Sequence, residues 1–140
     1  MAILAIFIKA PNYRFDLIPK ETIRLVYNTE ELTTELEKEM IRDEQGEIYL
    51  AMEDVKRIWD EDIYFDQENQ QIITSTDKKL ATMVMGEKEI TINSSKVETY
   101  ATIFEKDGSY YLPIQEFRDV YNIEVNYISE TNTVTIDNLE

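Results

Sequence analysis

Residues 46–75, GEIYLAMEDVKRIWDEDIYFDQENQQIITS, are answered 62 positions later by residues 108–137, GSYYLPIQEFRDVYNIEVNYISETNTVTID. The two align without a gap as a turn, a short strand, a helix, and two strands closed by a polar turn. A repeat of this kind constrains a 140-residue chain strongly. Each unit of about 60 residues is marginal alone and gains stability by packing on its copy. The sequence predicts an α+β fold of two tandem β-rich units, each with one short helix. The predicted divisions are an apolar N-terminal segment and linker over residues 1–22, a first repeat over 23–78 and a second over 79–140.

Upstream of these stretches the correspondence continues at a different spacing. IRLVYN (residues 23–28) reads as a strand ending in the turn Asn28-Thr29-Glu30. Its counterpart ATMVMGEKEITIN lies 58 positions on, matching Val26 with Val84, Asn28 with Gly86 and Leu32 with Ile90. Residues 30–42 alone have the spacing of a charged amphipathic helix, with Leu32, Leu36 and Met40 four apart. The partner segment 89–104 is rich in Thr, Ile, Val and Tyr, so strands are predicted in both. The change of spacing puts four additional residues near Asn93, Ser94, Ser95 and Lys96, read as a loop insertion. Hairpin turns are predicted at DEQG (43–46) and EKDG (105–108), where glycine accepts positive φ.

The two helices are marked by apolar faces: Met52, Val55, Ile58 and Trp59 in one, Ile114, Phe117, Val120 and Tyr121 in the other. Pro113 suits a first helical position, and Asn122 suits the left-handed residue that ends a helix. Period-2 strands follow at Ile63/Phe65 and Val125/Tyr127, then the polar turns QENQ and SETN, then strands around Ile72 and Val134. The run MAILAIFI at the N-terminus is too short to span a membrane and has no basic region before it. It is read as a strand joining the sheet, as the far end of an anchor, or as an added segment unrelated to the fold. Pro11 and Pro19 bracket an extended linker after it.

Charge and composition remove several function classes. The formal charge is −15, with 29 acidic against 14 basic residues. That repels nucleic acid and bare anionic lipid surfaces, which are bound through Lys and Arg. Histidine and cysteine are absent, so no disulfide, zinc site, thiol nucleophile or imidazole base can form within the chain. With three glycines there is no phosphate-binding loop. No cofactor is expected.

The second half resembles the stalk-like domain named after the N-terminal domain of copper amine oxidase. Leu112-Pro113-Ile114 stands where that family opens its helix, Val125-Asn126-Tyr127 at its following strand and Thr133-Val134-Thr135-Ile136 at its last. The first half fits more loosely through Leu50-Ala51-Met52, Ile63-Tyr64-Phe65 and Ile72-Ile73-Thr74. Gln115 replaces the usual arginine, Asn122 and Asp60 replace the usual closing glycine, and the first half lacks the proline. The resemblance implies that each unit is an antiparallel twisted sheet wrapped around one short helix. It also implies a non-catalytic module of exported Gram-positive proteins, positioning or docking a fused or neighbouring cell-wall or polysaccharide hydrolase at the envelope or cell surface. Envelope glycan or protein is the implied further partner, and membrane anchoring at or before the N-terminus is consistent with it. The competing class is an acidic intracellular inhibitor that mimics DNA.

Residues with binding or catalytic chemistry were weighed against structural roles. A carboxylate pair could serve as acid and base, but most acids fall in turns or on polar helix faces. Asp43-Glu44 and Asp60-Glu61-Asp62 are acidic enough to attract a cation, yet no calcium-loop spacing occurs, so solvated turns are expected. No catalytic, cofactor-binding or metal residue is assigned. Trp59 repeats as Tyr121 and is expected to be largely buried. Tyr64 and Tyr110, at alternate strand positions, are the candidate exposed contact residues.

Overall fold

A computed structural model describes residues 22–139. The apolar run and proline-bracketed linker expected before them lie outside the described residues.

The first half contributes β1 (Arg24–Tyr27), β2 (Glu30–Glu31), a 3-10 turn (Thr33–Glu35), β3 (Ile41–Arg42), β4 (Ile48–Ala51), α1 (Met52–Ile58), β5 (Tyr64–Asp66) and β6 (Gln71–Ser75). The second contributes β7 (Leu80–Val84), β8 (Glu89–Ile92), β9 (Ser95–Glu98), β10 (Phe104–Lys106) and β11 (Ser109–Pro113). It continues with a 3-10 turn (Ile114–Phe117), α2 (Arg118–Tyr121), β12 (Ile123–Ile128), a 3-10 turn (Ser129–Thr131) and β13 (Thr133–Asn138). The fold is β-rich α+β, with three sheets and two short helices.

The sheets have the orders β12-β13-β1-β2, β10-β11-β4-β3 and β5-β6-β7-β8-β9. Every one of them draws strands from both sides of residue 78. The expectation that each half would wrap its own sheet around its own helix is therefore corrected. Each half lacks the strands that would finish its sheets, and the other half supplies them. β6 joins β7 antiparallel, as consecutive strands can, whereas β1 and β13 at opposite ends of the described chain pair in parallel.

Hairpin registers follow the sequence spacing. Tyr64 pairs with Ile73, and 62 residues on Asn126 pairs with Thr135. The β1–β2 pair Val26↔Glu31 and the β7–β8 pair Thr82↔Thr91 share one register after a shift of 58. The central hairpins differ by one residue. Asp107 and Gly108, both at positive φ, make a two-residue turn between Lys106 and Ser109. The other turn is one residue longer, closed by Gly46 (φ 91), whose N–H donates to the Asp43 carbonyl at 3.0 Å.

At the centre β4 and β11 pair antiparallel through Tyr49↔Pro113, Leu50↔Leu112 and Ala51↔Tyr111. Leu50 and Leu112 are the same position of the two halves. Strand alternation divides the pair between two cores. Ile48, Leu50 and Leu112 face the main one with Leu25, Val55, Ile72, Ile90, Phe117, Val134 and Ile136. Tyr49, Ala51 and Tyr111 face a small one completed by Ala101.

Three local expectations change. Pro113 ends β11 rather than opening a helix, and the second helix begins as a 3-10 turn before α2. Asn122 ends it at φ 56, ψ 56, in the left-handed form expected. In residues 30–42 only β2 and β3 are extended, because side-chain hydrogen bonds tie the intervening segment to its neighbours. The Thr33 hydroxyl accepts the Leu25 N–H at 2.9 Å, and Asp54 accepts the N–H groups of Glu37 and Lys38 at 2.7 and 3.2 Å. The four residues read as a loop insertion begin a strand. Asn93 and Ser94 (φ 49 and 76) form a tight turn, and β9 follows.

Candidate functional site

Of the five acidic residues singled out in the sequence, Glu44, Glu61 and Asp62 are exposed as expected of solvated turns, whereas Asp43 and Asp60 are structural. Asp60, expected in a solvated turn, is buried. Its carboxylate accepts the Thr74 hydroxyl at 2.6 Å and the N–H groups of Ser75 and Asp62 at 2.9 and 3.0 Å. Thr74 spends its one proton on Asp60, so the Tyr121 hydroxyl 2.7 Å away donates to Thr74. Burial raises the Tyr121 phenol well above its ordinary pKa. Asp43 receives the N–H groups of Gln45 and Glu47 and the Tyr49 hydroxyl, each at 2.9 Å. These carboxylates close turns and tie strands. They are not free to act on a substrate.

Tyr64 and Tyr110 are not brought together. Tyr64 is exposed at 51%, at the edge of its sheet. Tyr110 is half-buried and stacks on Phe65, ring centroids 4.0 Å apart, so its expected exposure is corrected. Consecutive residues of a strand point to opposite faces, and Tyr64 therefore faces away from the Phe65–Tyr110 stack. They form no common platform.

Trp59 is half-buried rather than largely buried, because it lies just past the end of α1 at the rim of the core. It stacks on Tyr121 and meets Tyr27 edge-on, with centroids 5.1 and 5.7 Å away. Its Nε1 is shielded from solvent without a hydrogen-bond partner. A cleft of about 350 Å³ opens beside it, walled by Tyr27, Thr76 and Tyr121.

The concavity that combines apolar surface with charge lies elsewhere. A groove of about 310 Å³ has Ile90, Ile92 and Val97 as floor and Tyr100 on its rim. Glu47, Glu98, Glu116 and Asp119 stand around it with one cation, Arg118, so its lining is net acidic. Glu47 Oε1 is closed off from solvent with no partner. Burial first, then Glu116 and Asp43, hold its carboxyl above the usual range. Two neighbouring carboxyl groups are the arrangement an acid–base pair would need. Glu116, however, is committed to the backbone, its Oε2 accepting the Tyr100 N–H at 2.9 Å. Among the described residues no group of three or more carboxylates is placed to hold a metal ion. The sequence signal for this groove was the four additional residues near Asn93, which lead the chain into β9, whose Val97 and Glu98 line it.

No curated protein and no solved structure matches the chain. A family model, the copper amine oxidase N-terminal domain, matches residues 26–136. That domain is non-catalytic, and the matched span runs from β1 to β13, through all three sheets. The chain belongs to the copper amine oxidase N-terminal domain family.

Proposed function

We propose that the chain is a non-catalytic extracytoplasmic stalk module, built of two copies of one unit, that positions or docks a cell-wall or polysaccharide hydrolase at the bacterial envelope. Membership of a non-catalytic domain family over residues 26–136 carries this reading. The interlocked sheets support it, since a module that holds a neighbour in place works best as one rigid body. Self-meeting pairs support the two-copy part. Leu50 opposes Leu112 and Trp59 stacks on Tyr121, so equivalent positions of the two halves meet at the centre. The charge of −15 ranks spacing or protein contact above direct binding to anionic wall polymers. Without His or Cys the residues do not fit a copper centre, and no redox role is assigned.

The test is a fusion of the chain to a peptidoglycan hydrolase catalytic domain. It is assayed on insoluble wall and on a soluble oligosaccharide, beside the two parts mixed unlinked. The fusion is expected to act several-fold faster on wall only. Equal rates for fusion and hydrolase alone, or turnover by the chain alone, would refute the proposal.

A further inference from the structure

The geometry points to β9 as a docking edge for an extended polypeptide segment that presents an apolar residue and a basic residue two positions apart. All four residues of β9 are exposed, and among the described residues the strand pairs only with β8. The Thr99 N–H donates to the Lys88 carbonyl at 3.0 Å, which fixes the alternation of the ladder. In that register Ile90↔Val97 and Ile92↔Ser95 exchange hydrogen bonds, so the N–H and C=O of Lys96 and Glu98 point away from the sheet. Those outward groups are the template onto which another strand adds.

The groove described above runs alongside this edge. Val97 is 51% exposed although it lies on the core face beside Ile90, and Tyr100 just beyond it is 85% exposed. An added strand would place one side chain against Val97 and the next on the same face near Tyr100 and Glu116. The second position selects for Lys or Arg. Its stem covers the Tyr100 ring, and its head meets the carboxylates of Glu116 and Glu47. A cation there would also add to Arg118 in opposing Glu116 and Asp43, which after burial raise Glu47. Charge complementarity decides the occupant, since a second copy at −15 would bring Glu98 and Glu116 against more negative charge.

The edge is an addition to the framework. Among the described residues, the corresponding sheet at the other end stops at β2, with no strand outside it. β12 is also a long edge, but its exposed positions alternate with buried Ile123 and half-buried Val125 and Tyr127.

This inference names the contact face of the proposed module and to that extent rests on that role. Its test needs no hydrolase, so the two fail separately. The probe is an acetylated, amidated octapeptide repeating Val-Thr-Lys-Thr. One control carries N-methyl groups on alternate peptide nitrogens, and another has Glu for Lys. Binding is followed by fluorescence anisotropy, and exchange of the Lys96 and Glu98 amides by NMR. The probe is expected to bind saturably and to slow exchange of both amides, with each control at least about ten-fold weaker. Lys96→Pro removes only an outward donor, which an edge strand tolerates, and is expected to weaken binding similarly at unchanged Tm. No binding at about 1 mM, equal binding of the N-methylated peptide, protection elsewhere, or self-association of the chain through β9 would each overturn the inference.

Discussion

Trp59 stacks on Tyr121 with planes 9° from parallel, and the two residues stand 62 positions apart, the spacing of the internal repeat. The contact ties the end of α1 to the end of α2. Trp59→Ala is expected to cost about 2–4 kcal/mol, toward the lower side of large aromatic truncations because the ring is only half-buried. Against Tyr121→Ala, a double-mutant cycle by urea denaturation should give a coupling of about 1 kcal/mol. A coupling of zero would mean the stack is incidental.

Tyr121 also predicts how the fold responds to alkali. Burial raises its phenol above the ordinary value of about 10. A raised acid pKa means the folded state holds its proton where the unfolded chain releases it. The stabilisation is complete below about pH 10 and is lost as pH rises through the folded value. Stability should fall above pH 10, and Tyr121→Phe should flatten that limb while costing about 1 kcal/mol at neutral pH for the lost Thr74 bond. The same alkaline slope in both proteins would assign it to other groups.

Asp54 is fully buried and holds the Glu37 and Lys38 N–H groups, with Arg57 at 3.7 Å. Asp54→Ala should cost about 1–3 kcal/mol by leaving two amides unpaired, and Asp54→Asn less. Burial is the main cause that raises its carboxyl pKa. The folded state therefore binds the proton more tightly, and this group's contribution declines as pH rises from about 4 through the folded value. Asp54→Asn should remove that decline. A steeper decline in the Asn variant would contradict it.

Strand and turn chemistry was readable wherever it is local. Asn122 and Gly108 adopt the backbone their residue types favour, and the period-2 strands appear at Ile63/Phe65 and Val125/Tyr127. Pairing was not readable, because no local signal says that β1 will join β13 or that β4 will join β11. Residues 30–42 were misread for a related reason. Asp54 and Thr33, distant in sequence from the backbone they bind, decide where extension stops. The repeat hinted at the Trp59–Tyr121 and Leu50–Leu112 pairs without saying that equivalent residues would touch. The β9 groove was visible only as a break in the spacing.

The account turns on the halves forming one interlocked body, since a stalk that transmits position cannot come apart in the middle. Trp59 is the only tryptophan and reports on the first half, while the backbone amides of β12 report on the second. Unfolding in urea, followed by Trp59 fluorescence and by NMR intensities of β12, is predicted to give one coincident transition. Two separated midpoints, with β12 persisting after the Trp59 change is complete or the reverse, would contradict it.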